Sequence, residues 1–150
     1  MKLLWLNAGL LLPLDKGGKL RTWHVMRHLA ARHDITYLSF ADASQTEADR
    51  TGMREVCAKL VTIPRTDPGK GTWRFYADAA GYVVDHVPYA VAKYRSDAYR
   101  AELERLLAAE RYDAIVCDFL PPVVNMHASA LAPRFPFEHV VHAQIARDAL

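Results

Sequence analysis

The stretch Leu3-Leu4-Trp5-Leu6-Asn7, followed by Pro13-Leu14-Asp15-Lys16-Gly17-Gly18 and Lys19-Leu20-Arg21-Thr22-Trp23-His24, decides the fold. It reads as a buried strand, an open loop closed by a glycine pair, and a helix that starts on those glycines. The head of a helix carries partial positive charge and unpaired N–H groups. Two glycines there remove the Cβ atoms that would keep a ligand away from the backbone. An anion is the ligand such a turn suits, above all the phosphates of a nucleotide or sugar nucleotide. A plain helix-start turn, using glycine only for its backbone freedom, fits the same residues.

The spacing narrows the choice. The dinucleotide fingerprint G-x-G-x-x-G opens its helix after a very short turn, which is missing here. The phosphate loop G-x-x-x-x-G-K-[ST] fails as well, because Leu20 follows Gly18-Lys19 and Pro13 stands at the first glycine position. The longer loop leaves room for something bulkier than a pyrophosphate, such as a sugar.

The rest of the chain supplies alternating strands and helices. Helical spacing predicts a helix over 18–33 with Thr22, Val25, Met26, Leu29 and His33 inward, and Trp23 and His24 off that stripe. Ile35 to Phe40 reads as a second strand. Thr46 to Lys59 reads as a helix with Met53, Val56 and Cys57 inward, and Leu60 to Ile63 as a third strand stopped by Pro64. Asp67-Pro68-Gly69 and Gly71 mark a loop. Thr72 caps a helix whose apolar residues run from Trp73 to Val87, ended by Pro88. Ser96 caps another, with Tyr99, Leu103, Leu106 and Leu107 inward. Asp113 to Phe119 is a fourth strand, expected to be buried on both faces. Pro121-Pro122 opens a helix to about Ala132, and Phe137 to Ala143 is a fifth strand.

This alternation implies an α/β, Rossmann-like, doubly wound parallel sheet with right-handed crossovers. Ligands of such sheets bind at the carboxyl ends of the strands. Three places are selected: the loop after Asn7, the segment Asp118 to Pro122, and the region of His142. The 150 residues are one domain in size, with 51% hydrophobic and 24% charged residues, ordinary globular values. A net charge of +2 gives no electrostatic case for nucleic acid. The two cysteines, Cys57 and Cys117, form no C-x-x-C, and the seven histidines make no metal-binding pair. Cys117 reads as a buried reduced thiol, and no metal is expected. Lys2 followed by Leu3 to Leu14 has the outline of a short signal peptide. Asn7 interrupts it and no small-residue cleavage site follows, so a cytoplasmic location is expected. No run reaches the ~20 apolar residues of a membrane span.

The residues Asn7, Pro13, Asp15-Lys16-Gly17-Gly18, Arg21-Thr22-Trp23-His24, His28-Leu29-Ala30, Thr36 to Phe40 and Val116-Cys117-Asp118-Phe119 together resemble the N-terminal domain of family-4 glycosyltransferases. The likeness is closest to bacterial sugar transferases of exopolysaccharide and protein-sorting gene systems. It covers most of residues 1–142, and the first forty carry most of its specificity. It implies two doubly wound domains with a cleft between them, the GT-B arrangement. The N-terminal half would bind the acceptor and the C-terminal half most of the nucleotide sugar. It also implies retaining, metal-free transfer of a hexose to a saccharide or lipid-linked acceptor, without a cofactor, at the inner face of the membrane.

On this reading residues 1–150 are a single acceptor-side domain, incomplete at its C-terminus. The donor-binding domain and its Glu-containing motif are absent, so the chain alone is expected to be inactive. Gly17 and Gly18, with Lys19 beside them, would face the donor phosphates. Family members place a His-Asn pair after the fifth strand; His142 matches the histidine, but Ala143 stands where Asn is expected.

The remaining candidates have more than one role open. Asn7 can bond a sugar hydroxyl or cap its turn. Lys16 and Arg21 can pair with phosphate or an acidic sugar, or remain solvated loop charges. Tyr89, Lys93, Tyr94 and Arg95 form an aromatic–basic cluster that can grip an acceptor sugar or a lipid-linked phosphate, or form a solvated surface turn. Asp118 can contact acceptor, cap the Pro121 helix or hold the glycine loop. His142 can handle a proton or sit neutral in the core. A different class of function also fits: a non-catalytic subunit docking on a separate donor-binding chain, which an apolar patch near 137–150 would favour. An unfinished sheet would leave a pairing edge and favour self-association.

Overall fold

The computed structural model describes residues 1–65, 93–119 and 121–126. Four strands, β1 (Lys2–Asn7), β2 (Asp34–Ala41), β3 (Lys59–Pro64) and β4 (Ala114–Cys117), form one sheet in the order β3-β2-β1-β4. Every pairing is parallel: Trp5 stands beside Tyr37 on one side and Val116 on the other, and Leu38 stands beside Val61. Three α-helices join them, α1 (Gly17–Ala30), α2 (Glu47–Met53) and α3 (Asp97–Ala109), and Pro121–Asn125 forms a 3-10 helix.

The strands are apolar on both faces because helices cover both. Leu3, Trp5, Ile35 and Tyr37 pack in one core with Trp23 and Met26 of α1, Met53 of α2, and Leu10 and Leu11 of the loop after β1. Leu4, Leu6, Leu38 and Phe40 point the other way and pack with Tyr99, Leu103, Leu106 and Leu107 of α3. Alternate residues of one strand thus serve opposite layers. Each fully buried large side chain contributes ~1.5–3 kcal/mol by leaving water. This is the doubly wound α/β sheet that the alternation predicts. It runs outward from β1 to β3, then returns to place β4 on the free side of β1. The winding reverses between β1 and β4.

Several boundaries differ from the sequence reading. The first helix ends at Ala30, where the amides of Arg32 and His33 both fold back on the Leu29 carbonyl. Its inward residues are Thr22, Trp23 and Met26, while Val25 is 44% exposed; the large Trp23 ring draws the buried stripe one position round the helix. The second helix stops at Met53 rather than Lys59, and a turn through Arg54 to Cys57 delivers the chain into β3. Thr46 caps it with a reciprocal capping box to Asp49. Pro64 is the last residue of β3 and not a stop before it. β4 is shorter than the apolar run, four residues, and Ala114 and Val116 are only half-buried. Pro121–Asn125 is a 3-10 helix rather than the first turns of an α-helix. The expected helix over 72–87 and the strand over 137–143 lie outside the described residues, as does the segment near 137–150.

The α3 prediction holds to the residue. The Ser96 hydroxyl accepts from the Tyr99 amide at 3.2 Å, and Tyr99, Leu103, Leu106 and Leu107 are buried. The Tyr99 hydroxyl donates to the Leu38 carbonyl at 3.0 Å, across a ring packed 4.7 Å from Phe40. Tyr99→Phe keeps the ring and removes this bond, so it should lower the unfolding free energy by about 1 kcal/mol. Urea unfolding monitored by circular dichroism measures it; a variant as stable as the parent would show that the bond is idle.

Candidate functional site

The reversal point between β1 and β4 is where an open parallel sheet leaves a crevice. The structure brings four candidate residues together there. Asn7 ends β1, Asp118 follows β4, and Gly18 and Arg21 lie in the first turns of α1. Asp118 is 4% exposed. Its carboxylate accepts from the Thr22 hydroxyl at 2.5 Å, from Arg21 Nη2 at 3.1 Å and from Asn7 Nδ2 at 3.4 Å. Asn7 Oδ1 in turn accepts from the Ala8 amide at 2.6 Å. A buried carboxylate is costly unless it is paired and hydrogen-bonded, and here three donors from two elements do this. Asp118 therefore pins the head of α1 to the carboxyl edge of the sheet.

The head of α1 itself is open. Lys16 occupies the N-cap position in extended conformation, gives no side-chain cap, and no acidic residue stands in the first turn. The Leu20 amide bonds the Lys16 carbonyl at 3.0 Å. Among the described residues, the amides of Gly17, Gly18 and Lys19 have no protein acceptor. Nothing lies within 4 Å of where a Gly17 Cβ would be. Gly18 differs: a Cβ there would stand 3.0 Å from Cζ of Phe119, whose ring covers that side of the turn. Phe119 holds φ at 67°, a conformation that bulky residues rarely adopt, and is 46% exposed. Arg21 lies 5.4 Å over its ring. Neither Phe119 nor Thr22 is a site candidate on sequence grounds. Phe119 has no local signal, since only the turn after Asp118 sets its backbone.

Lys19 reaches backward. Its ammonium sits 2.8 Å from Asp15 and 3.1 Å from the Pro13 carbonyl, and this contact holds the Asp15 carboxyl below its usual range. Lys19 thereby ties the loop to the helix. Lys16 is exposed beside the open amides. Tyr89 and His142 lie outside the described residues. Arg95 is exposed just ahead of α3.

A second feature shares the carboxyl edge. A groove of about 150 Å³ is lined by Ala8, Gly9, Phe40, Asp42, Gln45, Arg65 and Tyr94. Of these only Tyr94 is a sequence candidate; the others become neighbours through the β1-β2-β3 order. Among the described residues no group of His, Cys, Asp and Glu could hold a metal ion, and no helix is long and apolar enough to cross a membrane.

Both cysteines are buried free thiols. Burial pushes Cys57 up to about 11 and Cys117, next to the Asp118 charge, up to about 12. At pH 8 a thiol with pKa near 11 is ionised to roughly one part in a thousand. Ellman's reagent should therefore find almost no thiol in the native chain at pH 8 and two after denaturation. Because the native thiols resist ionisation, their contribution to stability is intact below pH 9. It is lost as the pH rises from there through about 11 and 12, where the native thiols ionise too. Ready labelling of the native chain would contradict the packing.

Comparison with protein-family models, curated proteins and solved structures finds no match. The functional reading rests on the residues and their geometry.

Proposed function

We propose that this chain is the acceptor-side half of a GT-B glycosyltransferase, which transfers a sugar from a nucleotide sugar to a saccharide or lipid-linked acceptor. One observation carries the reading: the first helix of a doubly wound sheet opens at its switch point with three consecutive amides that have no acceptor among the described residues. Two of them belong to glycines, and one glycine has open space before it. Such a helix head favours an anion through its N–H groups and its dipole. The sequence resemblance of residues 1–40 to family-4 glycosyltransferases points the same way.

Sugar transfer from a nucleotide donor builds negative charge on the departing diphosphate and positive charge on the sugar ring. Preformed donors aimed at the diphosphate lower the barrier because they need no reorganisation during the reaction. The Gly17, Gly18 and Lys19 amides supply that half of the electrostatics. Asp118, through Thr22 and Arg21, holds the helix head where it is. Nothing in the described residues supplies the remainder of a donor site. We therefore expect the head of α1 by itself to bind a diphosphate weakly.

Titration of the ¹⁵N-labelled chain with uridine diphosphate tests this. The Gly17, Gly18 and Lys19 amides should move together and saturably. Failure to move them, or strongest shifts away from the head of α1, would defeat the reading.

A further inference from the structure

The outer face of α1 carries a surface that the fold does not require. Residues 16–33 contain two lysines, three arginines and three histidines, and no acidic residue. Leu20, Arg21, His24, Val25, Arg27 and His28 are exposed on one side of the helix, while buried Thr22, Trp23 and Met26 face the sheet on the other.

Helix stability does not call for this charge. Cations near a helix head oppose its dipole, yet Lys16, Lys19 and Arg21 stand there with no acidic residue in the first turn. Arg27 suits the tail of the dipole, but neither it nor Arg32, just past the helix, forms an ion pair among the described residues. On α3, by contrast, Arg100 pairs with Asp97 and Arg105 with Glu102.

Apolar side chains collect on the same surface. Leu14, Leu20, Val25 and Phe119 are four of the five exposed large hydrophobic side chains among the described residues. Leu20 and Val25 lie on α1, Leu14 in the loop ahead of it, and Phe119 against Gly18 and Arg21.

The two properties together specify a partner. A second copy of the chain would set like charges against each other. A nucleic acid would match the cations and leave the apolar side chains in water. An anionic bilayer meets both demands, because headgroup phosphates pair with arginine and lysine while aliphatic and aromatic side chains enter the acyl boundary. We infer that the outer face of α1 docks on an anionic lipid surface and lies along it. The inference does not depend on the sugar-transfer reading.

Co-flotation of the full chain with vesicles of equal parts phosphatidylcholine and phosphatidylglycerol tests it, against vesicles of phosphatidylcholine alone. The mixed vesicles should carry the chain upward and the neutral ones should not. Raising the salt to ~0.5 M should release it by screening. Arg27→Gln with Arg32→Gln should weaken binding about thirtyfold, since each cation at an anionic surface is worth about fivefold. Leu20→Gln with Val25→Gln keeps every charge and should weaken it about tenfold by removing apolar area. All four side chains are exposed, and none of these residues supplies an amide of the helix-head site. Thermal melts check that the variants fold, and the contrast between the two vesicle types needs no variant at all. The inference is overturned if the mixed vesicles leave the chain behind, if neutral vesicles carry it equally, or if either folded variant floats as the parent does. Tighter binding of an oligothymidylate or of polyglutamate than of the mixed vesicles would also overturn it, assigning the face to an acidic polymer. The uridine diphosphate titration of Gly17, Gly18 and Lys19 stands or falls separately.

Discussion

Asp118→Ala should destabilise the chain by about 3 kcal/mol, the largest loss expected from any single polar change. The carboxylate is buried and takes three bonds, so its removal strands the Thr22 hydroxyl and one Asn7 amide hydrogen. An orphaned buried donor costs ~1–3 kcal/mol. Arg21 adds little to the sum, because its side chain is 62% exposed and water replaces its partner readily. Asp118→Asn should cost less, since the amide oxygen can still accept from Thr22 while its NH₂ faces the other donors. Arg21→Ala should stay within ~0.5 kcal/mol of the parent. A double-mutant cycle of D118A with T22V isolates the pair and should give a coupling above ~1 kcal/mol. Urea unfolding of the set measures all of this. A D118A variant within ~0.5 kcal/mol of the parent would mean that Asp118 does not brace the helix head.

That brace shows where sequence reading reaches and where it stops. The β1 strand, the glycine-led helix and the capped α3 were legible because each is encoded locally. An apolar run gives the strand, a Ser with a helical stripe gives the capped helix, and a glycine pair gives the turn. The carboxyl-edge rule also brought Asn7 and Asp118 to the same side of the sheet. What it left open was their pairing, because Thr22 and Asn7 reach Asp118 across separations of 96 and 111 residues. Periodicity placed Trp23 off the core of α1 and Val25 in it; tertiary packing reversed the two, as ring area outweighs a small shift in stripe. The length of α2 was overread because Met53, Val56 and Cys57 keep helical spacing through what is a tight turn. Asp42, Gln45 and Arg65 carry no local signal as a group, since the sheet order alone brings three strand ends around one groove.

Lys19 is a case where charge was visible and its engagement was not. As a cation beside a glycine pair it invites a phosphate role, yet Asp15 and the Pro13 carbonyl hold its ammonium on the loop. The positive character at the helix head therefore comes mainly from backbone amides and from exposed Lys16. This has a measurable consequence at the first of those amides.

Gly17→Asp should separate binding from stability, moving the two in opposite directions. Gly17 is the first helical residue, its Cβ position is open, and α1 has no acidic group in its first turn. A carboxylate there meets the unpaired amides and the positive end of the helix dipole, worth ~0.3–1 kcal/mol. Replacing glycine by a residue with a side chain also removes unfolded-state freedom. The melting temperature should therefore stay level or rise. Uridine diphosphate, however, would meet a fixed negative charge on the amides it needs. At ~5 Å and an effective dielectric near 20, one pair of unit charges repels by about 3 kcal/mol. The affinity should fall about a hundredfold. Gly17→Ala is the control, because it adds the Cβ without the charge and should cost only a few-fold in affinity. Calorimetric titration and thermal melts of the parent and both variants settle the matter. If G17D binds uridine diphosphate as tightly as G17A, the anion does not sit on the head of α1, and the helix-head site is lost whatever the melting temperatures show.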